Sequence, residues 1–131
     1  MNENTGLAKL IAVDAEACDF GFEWPDAFMI IDQVVNECGE VKDAIEQKDS
    51  KDKIQEEIGD LLHAAVSLGL FNGLDIEETI NKAAHKLETR IHTLKEISKA
   101  RGLNSLKDQT IEFKLQLWRE VKAKLKLSQE A

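Results

Sequence analysis

Pro25 is the only proline in 131 residues, and glycine occurs seven times. These two residue types are the strongest breakers of regular structure. A chain with so few of them favours long helices over many short strands, so an all-α fold is expected. Five helical segments follow from the apolar periodicity. The first runs from about Gly6 to Asp19. A compact aromatic loop comes next, Phe20-Gly21-Phe22-Glu23-Trp24, closed by Pro25. Proline suits a helix start because its missing N–H is not needed there. The second helix then runs to about Gln47, and Lys48 to Lys51 form a charged turn. A third spans about Asp52 to Phe71, with Asn72-Gly73 as its stop signal. Asp75-Ile76-Glu77-Glu78 is a capping box for a fourth helix, which reaches Arg101 ahead of Gly102. Thr110 caps a last helix to about Leu127. The expectation is one domain over residues 1–131, with flexible tails at 1–5 and 128–131. Its architecture is a helical bundle with a four-helix core completed by oligomerisation.

Charge narrows the partners. With 17 basic and 25 acidic residues the formal charge is −8. That argues against gripping nucleic acid or an anionic membrane through net charge. Cys18 and Cys38 make neither a disulfide framework nor a zinc site, and they suit a reducing cytosol. Met1-Asn2-Glu3-Asn4 lacks the basic region of a signal peptide. The apolar stretch Leu61 to Phe71 is broken by His63, Ser67 and Gly69 and is too short to span a bilayer. A cytoplasmic protein is therefore expected.

Two acid pairs stand out when each helix is turned at about 100° per residue. With Glu37 at zero, Ile30, Val41, Val34, Ile45, Cys38 and Ile31 fall between about 20° and 120°, and Glu40 near −60°. With Glu57 at zero, Leu68, Leu61, Ile54, Ala65 and Ile58 fall between about 20° and 100°, and Asp60 near −60°. The patterns superimpose, so each helix carries an i, i+3 acid pair on the rim of its buried face. Asp43, Glu46, Asp49 and Asp52 fit a solvated face. Glu37 and Glu57 fit one badly, because they lie between apolar neighbours where an unpaired charge is costly. Two adjacent antiparallel helices would gather four carboxylates, which repel unless a cation holds them. Hard oxygen donors without paired histidines suit Mg²⁺, or Mn²⁺. A di-iron carboxylate bundle would need two Glu-x-x-His pairs. Asp60-x-x-His63 is the nearest approach, and its phase puts His63 away from the acids, as a core or interface residue.

In the fourth helix the expected buried stripe is Ile80, Ala83, Leu87, Ile91 and Leu94, flanked by Arg90 and Lys86. Lys53 lies one turn before Glu57 on the same rim. Each of these cations is either a snorkelling surface residue or part of a phosphate clamp. Trp118 aligns with Ile111, Leu115, Val121 and Leu125, as a packed core ring or as a ring at a pocket edge that stacks on a base. Val35, Leu62 and Phe71 fall outside the main stripes and point to burial against a second copy, as a homodimer or dimer-based homotetramer.

In order, the chain reads Gly21-Phe22-Glu23-Trp24, Glu37-x-x-Glu40, Glu56-Glu57-Ile58-Gly59-Asp60-Leu61-Leu62, Lys86-Leu87-x-x-Arg90, Arg101-Gly102-Leu103 and Leu117-Trp118. That series resembles the MazG family of nucleoside triphosphate pyrophosphohydrolases, most closely the catalytic C-terminal half of the two-domain members. It covers about residues 7 to 122. The resemblance implies an all-α bundle built with a partner subunit. It also implies Mg²⁺-dependent cleavage of a nucleoside triphosphate to the monophosphate and pyrophosphate, a step that clears abnormal nucleotides. Glu37, Glu40, Glu57 and Asp60 are then the metal ligands. Lys53, Lys86 and Arg90 contact phosphates, Trp118 contacts the nucleotide, and Glu56 is an acid beside the site. Glu56 is also a candidate to orient or deprotonate the attacking water. The chain departs from the family pattern at Gln33, Asn36 and Ala84. Rival expectations are a pyrimidine-specific relative acting on dUTP or dCTP, and a non-catalytic helical module that binds nucleotide or a protein partner.

Overall fold

A computed structural model describes residues 5–130. It contains five helices, and no strand occurs among the described residues. They are α1 (Gly6–Asp19), α2 (Ala27–Glu46), α3 (Lys51–Phe71), α4 (Ile76–Ala100) and α5 (Ile111–Glu130). Residues 1–4 and 131 of the expected tails lie outside the described residues. Thr5 caps α1, and α5 continues past Leu127 to Glu130.

Side chains set the helix starts. Thr5, Asp26 and Ser50 accept from the backbone N–H of Ala8, Met29 and Lys53 at 3.1, 2.9 and 3.2 Å. Asp75 and Thr110 do the same for Glu78 and Phe113 at 2.8 and 3.1 Å. Each such cap contributes about 1 kcal/mol by satisfying a donor that the helix cannot. Pro25 does not sit in the first turn of α2 as the sequence suggests. Asp26 takes the capping position, so Pro25 belongs to the aromatic loop and holds Trp24 away from helical geometry. The exits of α2, α3 and α4 share one device, a residue in the left-handed region. Gly73 and Gly102 take it at φ 74° and 79°, and after α2 Lys48 takes it at φ 55°.

The chain divides into two compact units, one up to Thr79 and one from Ile80. In the first unit α2 packs along α3, and α1 touches α3. The Ser67 hydroxyl of α3 donates to Asp14 Oδ2 of α1 at 2.7 Å. A side chain on Gly69 would come within 2.7 Å of the Ile76 side chain, so this glycine makes room for a buried isoleucine.

The buried faces of α2 and α3 are turned from their expected positions. In α2, Ile30 and Ala44 are buried, with Gln33, Val34, Glu37 and Val41 partly so. In α3, Glu57, Ala64 and Ser67 are buried, with Ile54, Leu61 and Leu68 partly so. Glu37 and Glu57 thus lie in the middle of the buried arcs, not on their rims. Ala44 and Ala64 are small and let the helices approach on that side. Ile31, Cys38, Ile45, Ile58 and Ala65 are left exposed on the outer flank.

In the second unit Leu117 and Val121 are fully buried, and Thr93 and Ser98 nearly so. The expected α4 stripe is partly covered at Ile91 and Leu94, whereas Ile80, Ala83 and Leu87 are exposed. On α5 the core centres on Leu117 and Val121, while Ile111 and Leu115 are exposed and Trp118 is half-buried. Two helices cover less than the full width of an amphipathic stripe, so its outer residues remain open. Among the described residues no helix is long and apolar enough to cross a membrane.

Candidate functional site

The close approach of α2 and α3 gathers acids. One carboxylate oxygen each from Glu37, Glu57 and Asp60 lies within 4.8 Å of the others. Glu57 is only 8% exposed. The Gln33 side-chain amide donates to Glu37 Oε1. Lys53 Nζ lies 3.0 Å from Glu57 Oε1 and 3.9 Å from Glu56 Oε2. The hydrogen bond to Glu57, and next the Glu57 charge, raise the Lys53 pKa above its ordinary value. These acids open on a cleft of about 590 Å³. Glu40 and Asp43 also line it, and the Glu40 carboxylate stands outside the three-acid group. Glu56 is exposed and faces Lys53.

The donor set fits a hard divalent cation. Opposite oxygens around six-coordinate Mg²⁺ stand about 4.2 Å apart, close to the span of the three acids. Without a cation these carboxylates oppose one another, and the most buried has a single ammonium beside it. No cysteine or histidine belongs to the group.

The other expected site residues divide between the two units. Lys53 belongs with the acids. Lys86 and Arg90 on α4 and Trp118 on α5 lie in the second unit. There the Arg90 guanidinium stands over the Trp118 ring, 6.0 Å from its centroid. Trp118 is therefore neither wholly core nor free, but a half-buried platform beneath a cation. Arg101 pairs with Glu120 across the loop that joins the two helices. His63 is largely exposed, with Nε2 3.9 Å from Asp14 Oδ2.

Two features go unread in the sequence. Gln33 steadies Glu37, and an i, i+4 spacing on the buried face is the signal for it. Asp14 sits at the edge of a mostly apolar cavity of about 390 Å³ lined also by Leu10, Val13, Phe22 and Trp24. Its signal is the one that betrays Glu37, an acid on the apolar face of its helix, here four residues after Leu10. Cys18 borders the same cavity, and desolvation, followed by the Asp14 charge, pushes its thiol pKa up.

Residues 28–94, half of the chain, match the model of the MazG nucleotide pyrophosphohydrolase domain. The chain belongs to that family. The matched stretch carries Glu37, Glu40, Glu57, Asp60, Lys86 and Arg90. Similar curated proteins include the nucleoside triphosphate pyrophosphohydrolase of Escherichia coli strain K12, 32% identical over 117 residues. The nucleoside triphosphate pyrophosphohydrolase/pyrophosphatase MazG of Thermotoga maritima is 31% identical over 116 residues. Each alignment covers 88% of this chain and 44% of the relative, so this MazG domain corresponds to less than half the length of either.

Proposed function

We propose that this MazG domain hydrolyses nucleoside triphosphates to monophosphates and pyrophosphate, with Mg²⁺ or Mn²⁺ as cofactor. The observation that carries the reading is the group of Glu37, Glu57 and Asp60 oxygens within 4.8 Å. These three acids and Glu40 hold the cation. When bound, the cation offsets phosphate charge and lowers the pKa of a water ligand. Glu56, exposed beside Lys53, orients or deprotonates the attacking water, and Glu57 fixes Lys53 next to it. Lys53, Lys86 and Arg90 hold phosphate oxygens and stabilise the charge that develops as the α–β bond breaks. Trp118 contacts the nucleotide. The physiological task is removal of abnormal nucleotides in the cytoplasm, by a homodimer or dimer-based homotetramer. Val35 and Leu62 support that assembly, being 63% and 61% exposed on the paired helices.

The test is a panel of standard and damaged nucleoside triphosphates, with and without Mg²⁺. Broad Mg²⁺-dependent pyrophosphate release is the expected result. Release from dUTP or dCTP alone would convert the reading to a pyrimidine-specific enzyme. Absence of turnover across the panel would convert it to a binding module.

A further inference from the structure

The second unit carries a cleft of about 520 Å³ whose lining is basic. Lys86 and Arg90 of α4 face it, and so do Lys122 and Lys126 of α5, with His85 and Thr89 beside them. Among the described residues no carboxylate lines it, although the chain as a whole has eight more acids than permanent cations. Among the described residues, none of these four cations is paired with an acid. Lysines that merely cover apolar surface snorkel outward and diverge. Here two pairs from different helices converge on one cleft, and Arg90 is half-buried and steadied by Trp118.

The spacing limits what can fill it. Each pair is one turn apart, about 6 Å along its helix axis. A single phosphate cannot reach both members of both pairs. A chain of two or three phosphates can, and it carries about three to four negative charges at neutral pH. Thr89 adds a hydroxyl donor to the lining. We infer that Lys122 and Lys126 are phosphate-binding residues. With Lys86 and Arg90 they form a cleft for a short phosphate chain, either free pyrophosphate or triphosphate or the tail of a nucleotide. This deepens the proposed function, and it rests on that reading only for the source of the chain.

Calorimetric titration of the protein without divalent cation, with inorganic triphosphate, pyrophosphate and orthophosphate, tests the inference separately from hydrolysis. Triphosphate is expected to bind at least tenfold more tightly than orthophosphate. The Lys122→Gln/Lys126→Gln double variant is expected to weaken triphosphate binding by about tenfold, with circular dichroism unchanged. Lys124→Gln, an exposed α5 lysine outside the cleft, is expected to bind as wild type does. A nucleoside triphosphate titrated in parallel separates the sources: equal affinity means that the phosphate chain alone is recognised, and tighter binding means that the tail is. Wild-type affinity in the double variant would overturn the inference, as would equal loss in Lys124→Gln or orthophosphate binding as tightly as triphosphate. Loss of pyrophosphate release with this binding intact would instead count against the hydrolase reading alone.

Discussion

In the α2–α3 pair, two of the clustered acids are steadied from their own helices, Glu37 by Gln33 and Glu57 by Lys53. In the α4–α5 pair, no acid among the described residues lines the cleft, and four cations face it, Arg90 held by an aromatic ring. The difference lies in the cost of burial. A carboxylate that is 8% exposed needs a partner in every state of the protein, so the chain supplies one. Exposed ammonium groups stay hydrated and can wait for a ligand. The first region therefore has a provisional cation, Lys53, where the proposed metal would act. The second shows no provisional anion among the described residues.

Removing divalent cation should have the largest effect. Chelation is expected to lower pyrophosphate release by about three orders of magnitude or more, and Mg²⁺ to restore it. Unchanged turnover in chelator would dissolve the contrast between the two regions. Next come the α4 cations. Lys86→Gln and Arg90→Gln are each expected to lower kcat/KM by about tenfold to 100-fold, the scale of one charge-assisted contact. Arg90→Lys should recover part of this, since it keeps the charge but loses the fork above Trp118.

Lys53→Met separates the provisional partner from the metal. The metal-free variant is expected to melt at a lower temperature than wild type, and Mg²⁺ should narrow the gap. The Lys53 pKa is raised in the folded state, so its contribution is fully present below the ordinary lysine pKa of about 10.4. It is lost only as the pH rises through the raised value. The gap between metal-free wild type and variant should thus stay flat from about pH 6 to 9 and close only above that range. A gap that closed toward acid would assign the effect to another group. Smallest is Lys48→Gly. It relieves a left-handed lysine but loosens the unfolded chain, for a net gain of about 0.5 kcal/mol in chemical denaturation.

The helix ends are legible in the sequence because capping is local. Asp75 and Thr110 sit where their side chains serve the next turn, and Gly73 and Gly102 sit where only a residue without Cβ is free of strain. Glu37 and Glu57 are legible for the same reason, since period and polarity along one helix mark them as misplaced charge. The rotation of the buried faces is not local. It depends on how α2 and α3 pack along each other, and a single-helix projection does not contain that packing. Ile80 and Leu87 fail in the same way, because a stripe shows which residues can be buried, not how many helices are present to cover them. Asp14 and Ser67 are 53 positions apart and join only once α1 lies on α3.

The proposed divalent-cation site is built on Glu37, Glu57 and Asp60. Titrating the protein with Mn²⁺, and following free Mn²⁺ by electron paramagnetic resonance, tests it without substrate or turnover. The wild type is expected to deplete the free signal saturably, with Mg²⁺ competing. Glu37→Gln and Asp60→Asn are each expected to weaken that binding by about tenfold or more while the helical circular dichroism stays the same. Equal depletion by the wild type and both variants would contradict the claim.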